Sequence, residues 1–210
     1  MEEVDCLEKM TEYLRPTYFI DSDSPVVINI SKKITENLND IIEKAKAIFY
    51  WTRDQIKYNP YESFSSRQKN YKASKIIQAG KGWCVQKACV LAALARSINI
   101  PSKLHFADIK NYKISGKLKE IMGTNLFVFH GYTELFLNGK WIKATPAFNV
   151  ELSKKYNYIP AEFDGINDIV LPKTTINGEK FIEYVNDRGS YSDLPFKKMF
   201  KILHQYYEFV

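Results

Sequence analysis

Cys84 and His130 are the two residues whose types and surroundings offer chemistry. Cys84 follows the break Gly80-Lys81-Gly82 and opens an apolar, alanine-rich run that ends near Ile98. A helix that starts there leaves up to four backbone N–H groups without intrahelical partners, and its dipole favours negative charge at that end. A thiol so placed has its thiolate stabilised, which is how cysteines become nucleophilic near neutral pH. The N–H of Cys84 can also point at the oxyanion that forms on an attacked carbonyl. Cys89 sits mid-run among apolar neighbours and reads as a small hydrophobe, while Cys6 has no comparable setting. A thiolate nucleophile needs a base, usually histidine. Of the three histidines, His204 lies on the edge of a terminal helix and His105 alternates within a short strand. His130 begins a long strand and is followed by Gly131, which leaves room for a closely approaching backbone. His130 is therefore the candidate base.

The pattern predicts the elements that must position this pair. Residues 31–58 read as helical, with Ser31 as a possible cap and Ile34, Leu38, Ile41, Ile42, Ala45, Ile48 and Phe49 at three- and four-residue steps. Pro60 ends that run. The segment from Trp83 or Cys84 to Ile98 is hydrophobic almost all round, so it should be a central buried helix. The period then changes to two. Lys103 to Asp108 and Leu126 to Leu137 read as strands, Asn138-Gly139 as a two-residue hairpin turn, and Lys140 to Thr145 as the returning strand. A long loop spans Pro146 to Pro172, and Leu194 to Tyr207 reads as an amphipathic helix. Helices, then a buried helix, then strands make an α+β chain, expected to form one domain over residues 1–210.

Counting back from the hairpin places Tyr132 opposite Thr145 and His130 opposite Ala147. Thr145, Ala147 and Asn149 would then share the His130 face, and a residue that orients the imidazole should come from that set or from a loop folded over it.

With these residues in place, Gly82-Trp83-Cys84-Val85-Gln86-Lys87-Ala88, continuing through Leu94-Ala95-Arg96 to Ile100-Pro101, resembles the nucleophile motif of the transglutaminase-like superfamily. Asn99 stands where that family's glycine precedes Ile-Pro. Trp51 to Tyr58 is similar to the family's stretch ahead of the cysteine, and His130 to Leu135 followed by Trp141 resembles its histidine hairpin. The match covers roughly residues 40–150. The resemblance implies a papain-like α+β fold, with the Cys-bearing central helix packed on an antiparallel sheet that carries His130. It implies attack of Cys84 on an amide carbonyl, a thioester, and its resolution by water (hydrolysis) or by an amine (acyl transfer), on protein or peptide substrates. The family's third block supplies an Asp that orients the histidine, and Thr145 stands in its place here. A hydroxyl accepts a hydrogen bond but cannot balance imidazolium charge. Asp164 in the Glu162-Phe163-Asp164-Gly165 loop, Asn149, or Thr145 itself could serve, with Asp164 placed slightly ahead of Asn149. Trp83, Trp51 and Tyr58 are candidates to line the cleft or stabilise the oxyanion. The Thr145 substitution also raises a second reading, a catalytically silent member that binds a peptide or protein partner.

Composition fits this picture. A chain of 210 residues with 45% hydrophobic and 26% charged residues can bury a sizeable core, which excludes disordered and fibrous classes. The net charge of +6 is spread over many lysines without a recognition motif, so no nucleic acid is expected. Three cysteines without a CxxC pair make neither a disulfide framework nor a thiolate metal site. No acidic calcium loop is seen, and neither metal nor cofactor is expected. An acidic N-terminus and the absence of an 18-residue apolar run point to a cytoplasmic chain with no membrane association.

Overall fold

A computed structural model describes residues 10–207. The expected helix over 31–58 is two helices, α1 (Pro25–Thr35) and α2 (Ile41–Gln55). Ser31 caps nothing: it lies inside α1, where its hydroxyl donates to Ile28 O at 3.1 Å. The break falls at Glu36 to Asp40, because Asp40 takes the N-cap of α2, its Oδ1 accepting from the N–H groups of Ile42 and Glu43 at 2.9 and 3.0 Å. After α2 come a two-residue strand β1 (Lys57–Tyr58), helix α3 (Ala73–Ala79), strand β2 (Lys81–Gly82) and the central helix α4 (Cys84–Ser97). Strands β3 (Ser102–Asn111), β4 (Leu126–Leu137), β5 (Lys140–Ala144) and β6 (Ile182–Tyr191) form an antiparallel sheet in the order β5-β4-β3-β6. Short helices α5 (Gly116–Met122) and α6 (Val150–Lys155) interrupt the loops, and α7 (Phe196–Tyr206) closes the described chain. No helix among the described residues is long and apolar enough to cross a membrane.

The all-round apolarity of α4 has the predicted consequence, since thirteen of its fourteen residues are buried. Helices α1, α2 and α3 pack against it, as do β3 and β4. Sheet side chains hydrogen-bond to it as well: Thr133 Oγ1 donates to Ala88 O and Ser102 Oγ to Ala92 O, each at 2.9 Å. At its C-terminal end Arg96 fans out to the carbonyls of Ser102, Arg15 and Ser192. The buried Lys87 Nζ donates to Arg53 O and Ile56 O at the end of α2, at 2.8 and 2.5 Å. These bonds satisfy helix-terminal carbonyls that would otherwise lie buried and unpaired.

The hairpin forms as predicted, with Leu137 opposite Lys140 and both turn residues at positive φ, Asn138 at 48° and Gly139 at 80°. The expected continuation does not. Pairing stops at Thr133 opposite Ala144, so neither Tyr132–Thr145 nor His130–Ala147 is formed. The N–H of Thr145 bonds instead to Ile169 O at 3.1 Å, and Pro146 has no N–H to extend the ladder. The long loop from residue 146 is thereby partly docked on β5. Strand β6 is not among the strands expected from the sequence: it opens with Ile182, Tyr184 and Val185, but Asn186, Asp187 and Gly189 are types that strands disfavour.

Candidate active site

Cys84 is the first residue of α4, with Trp83 at the N-cap. The start is fixed by Gln86, whose Oε1 accepts from Trp83 N–H at 3.2 Å while its Nε2 donates to Asn70 O at 2.9 Å. Strands β1 and β2 pair in parallel, Tyr58 beside Gly82, which brings the Tyr58 ring to the cysteine. Gly131 lies where β4 crosses α4. A Cβ there would meet Val85 Cα at 3.0 Å, so any other residue would have to push strand and helix apart by a few tenths of an ångström.

Cys84 and His130 line one cavity together with Tyr58 and Trp83. Burial pushes the Cys84 thiol up to about 11, against the opposing pull of the Gly131, Val85 and Cys84 N–H groups. The helix-start stabilisation expected from sequence is present but smaller than the cost of desolvation. Burial likewise pushes His130 down to about 3. The resting pair at neutral pH is therefore a thiol and a neutral imidazole.

His130 is 3% exposed, and its ring lies 6.0 Å from that of Tyr184 and 6.2 Å from that of Tyr132. Its Nε2 is buried and has no hydrogen-bond partner among the described residues. Of the three candidates for an orienting residue, Thr145 is fully buried and lies against the Tyr184 phenol, the same ring that borders His130. That phenol accepts from Leu171 N–H at 3.2 Å, and Thr145 Oγ1 has no hydrogen-bond partner among the described residues. Asn149 is also buried, but its Oδ1 accepts from Tyr58 N–H at 3.3 Å. Asp164 is exposed, and its carboxylate accepts from Ile166 N, Asn167 N and Asn167 Nδ2 within its own turn. Those bonds hold it down to about 2, so its carboxylate is used within its own turn. Trp51 lines a separate groove between α1 and α2 with Ile30 and Ile34, not the Cys84 cavity. His105 is bound at both nitrogens, Nδ1 2.6 Å from Glu134 Oε1 and Nε2 2.9 Å from Asp187 Oδ1. His204 Nδ1 lies 2.6 Å from Phe200 O, within its own helix.

One part of the site has no counterpart in the sequence reading. The residue before His130, Phe129, is fully buried at φ 57°, a left-handed conformation that costs a bulky side chain energy. The β3–β4 register shifts between Ala107 and Ile109, and the bulge is pinned by Asp108. Its Oδ1 accepts the Phe129 N–H at 3.1 Å, and its two oxygens accept from Arg188 Nε and Nη2 at 2.5 and 2.7 Å, with Asn186 Nδ2 at 3.0 Å. The Arg188 guanidinium also covers the Phe129 ring at 4.9 Å. Such bulges re-aim the side chains beside them, and here that side chain is His130. The one signal in the sequence is Asp108 itself, an acid at the end of an apolar strand. Its partners are hidden there because β6 is not among the strands expected from the sequence. Replacing Asp108 with Ala should cost about 3–5 kcal/mol in urea unfolding, since the Arg188 charge and the Phe129 N–H would both lose their partner. A loss below about 1 kcal/mol, the level of a surface pair, would contradict this role.

The sequence profile of the transglutaminase-like superfamily matches residues 28–146, more than half of the chain, from α1 to just past β5. The chain belongs to the transglutaminase-like superfamily. Among solved structures, this transglutaminase-like chain is similar to a candidate cysteine protease from Cytophaga hutchinsonii. The two are 17% identical with a TM-score of 0.58, over 91% of this chain and 50% of that one. A candidate protease from Parabacteroides distasonis is 12% identical with a TM-score of 0.41, over 65% of this chain and 25% of that one. The transglutaminase-like chain thus spans half the length of the Cytophaga protein. No curated protein matches it. The superfamily segment contains α4 with Cys84 and β4 with His130, whereas β6 and the Arg188 clamp lie beyond it.

Proposed function

We propose that this chain is a cysteine-dependent amide hydrolase or acyl transferase acting on protein or peptide substrates. The observation that carries the reading is that the nucleophile-type Cys84, at the start of a buried helix, shares one cavity with His130, while the N–H of Gly131 faces the sulfur. In this reading the Cys84 sulfur attacks the amide carbon as its proton passes to the neutral imidazole of His130. The imidazolium returns that proton to the leaving amine as the C–N bond breaks, which gives a thioester. Water or a second amine then adds to the thioester, His130 again carries the proton, and the thiol is restored. The backbone N–H of Cys84 is the candidate oxyanion donor. In this reading Thr145 orients the imidazole through the Tyr184 ring that lies between them, since Asp164 is bonded within its own turn and the Asn149 Oδ1 accepts from Tyr58 N–H. A reducing cytoplasm would keep the thiol available.

Because the resting pair is neutral, kcat/KM should be flat between the pH values where His130 gains its proton and Cys84 loses one, near 3 and near 11. Iodoacetamide labelling of Cys84 should be slow at pH 7 and climb steadily towards pH 11. Cys84→Ala should abolish amide turnover while leaving the urea midpoint nearly unchanged. Turnover that survives this change would sink the mechanism.

The uncharged resting state and Thr145 favour a second reading, a silent member of the family that binds a peptide in the same cleft. It predicts no Cys84-dependent turnover of any amide or ester, with retention of peptide binding in Cys84→Ala.

A further inference from the structure

We infer that the donor substrate presents an uncharged, apolar acyl group, which seats in the cavity beside Cys84. The inference rests on the reading of Cys84 as the nucleophile and deepens it by naming the substrate's chemical class. The cavity walls come from several elements: Ile109 of β3, Leu118 and Met122 of α5, Val128 of β4, Leu171 of the docked loop and Leu203 of α7. No charged side chain among the described residues lines it.

Trp83 Nε1 and His130 Nε2, beside the sulfur, have no hydrogen-bond partner among the described residues, whereas two polar groups further along the wall are engaged. The Tyr207 hydroxyl donates to Leu126 O and accepts from Val128 N–H, both at 2.9 Å, so it is spent on the β4 backbone. Asn111 Oδ1 accepts from Lys113 N–H at 2.9 Å. A charged acyl group seated in the cavity would lose its water without meeting a charged partner on the wall, a penalty that disfavours it. An aliphatic or aromatic group instead gains roughly fourfold in binding for each methylene it buries. The cavity itself measures about 50 Å³, room for a short apolar group, and Leu118 and Phe127 also line a neighbouring groove with Lys113 and Lys117, where a longer chain and the rest of the donor would lie.

The first test needs no turnover. Cys84 labelling by hexyl methanethiosulfonate is compared with labelling by the 2-sulfonatoethyl and 2-trimethylammonioethyl reagents, each rate being divided by that for N-acetylcysteine. The hexyl reagent should be favoured about tenfold or more. Leu118→Glu, at a half-buried position on a short helix, should erase that preference. Equal relative rates, or a preference for either charged reagent, would overturn the inference.

The second test uses turnover. p-Nitrophenyl octanoate is compared with the acetate, and N-acetyl-leucyl and N-acetyl-phenylalanyl coumarin amides with their lysyl and glutamyl counterparts. Preference for the octanoate identifies a fatty acyl source, and preference for the apolar amides a peptide side chain. Either result supports the cavity assignment, whereas a charged preference overturns it. Hexyl-selective labelling without any Cys84-dependent turnover would leave the apolar seat standing and defeat the hydrolase reading instead.

Discussion

Thr145→Asp should move the titration of His130 up from near pH 3 by roughly 1–3 pH units. A carboxylate at position 145, beside the Tyr184 ring that borders His130, would favour imidazolium. The values of His130 and Cys84, near 3 and near 11, lie too far apart for that shift to make an ion pair, so Cys84 should still label only towards pH 11. Thr145→Asn supplies an acceptor without charge and should fall between the two. The measurement is the NMR titration of the His130 ring, with near-ultraviolet circular dichroism to establish that each variant is folded. A folded Thr145→Asp protein whose His130 titrates like its parent's would remove position 145 from the site.

Lys87 gives the second large effect, this time on stability. Burial pushes its ammonium from 10.5 down to about 7, with the Asp54 charge opposing the change. Between those values the unfolded chain holds a proton that the folded chain has released. Folding therefore loses stability as pH falls from about 10.5 to about 7, and below that the contribution is constant. Each pH unit across that window is worth about 1.4 kcal/mol, so the total is on the order of a few kcal/mol. Urea unfolding at pH 7 and pH 10 should show the parent gaining that much on Lys87→Met as pH rises, because the methionine cannot titrate. A difference that does not change with pH would mean that Lys87 is charged in the folded state and fully satisfied by the Arg53 and Ile56 carbonyls.

The two motif-bearing elements are the most legible parts of the molecule. Helix α4 announces itself because its apolar residues leave no polar stripe, and the β4–β5 hairpin because Asn138-Gly139 suits a turn with two positive φ angles. These are local signals, and the structure reproduces both. What escapes a reading of the sequence depends on long-range pairing. Strand β6 is not among the elements expected from the sequence, and only its pairing with β3 brings Arg188 and Asn186 to Asp108. The orienting residue is hard to choose for the same reason. The count that places His130 opposite Ala147 assumes that the ladder continues, but the segment around Ile169 captures the chain at Thr145. Asp164 has the right charge, and only its own turn shows that the charge is already used. A stabilised thiolate follows from the helix start alone, whereas full enclosure of Cys84 outweighs that start.

The enclosure of α4 on every side has a consequence for how sequences of this kind can drift. A helix with thirteen of fourteen residues buried accepts few substitutions whatever its chemical role, so selection for folding alone would preserve the surroundings of Cys84. In a saturation library screened only for folded protein, α4 should appear as constrained as any core element. The Cys84 site itself should tolerate Ala and Ser, which are small enough for the space. Selection for turnover would then single out Cys84 and His130 against that uniformly constrained background. The gap between the two screens at these two positions measures how much of their retention is owed to chemistry.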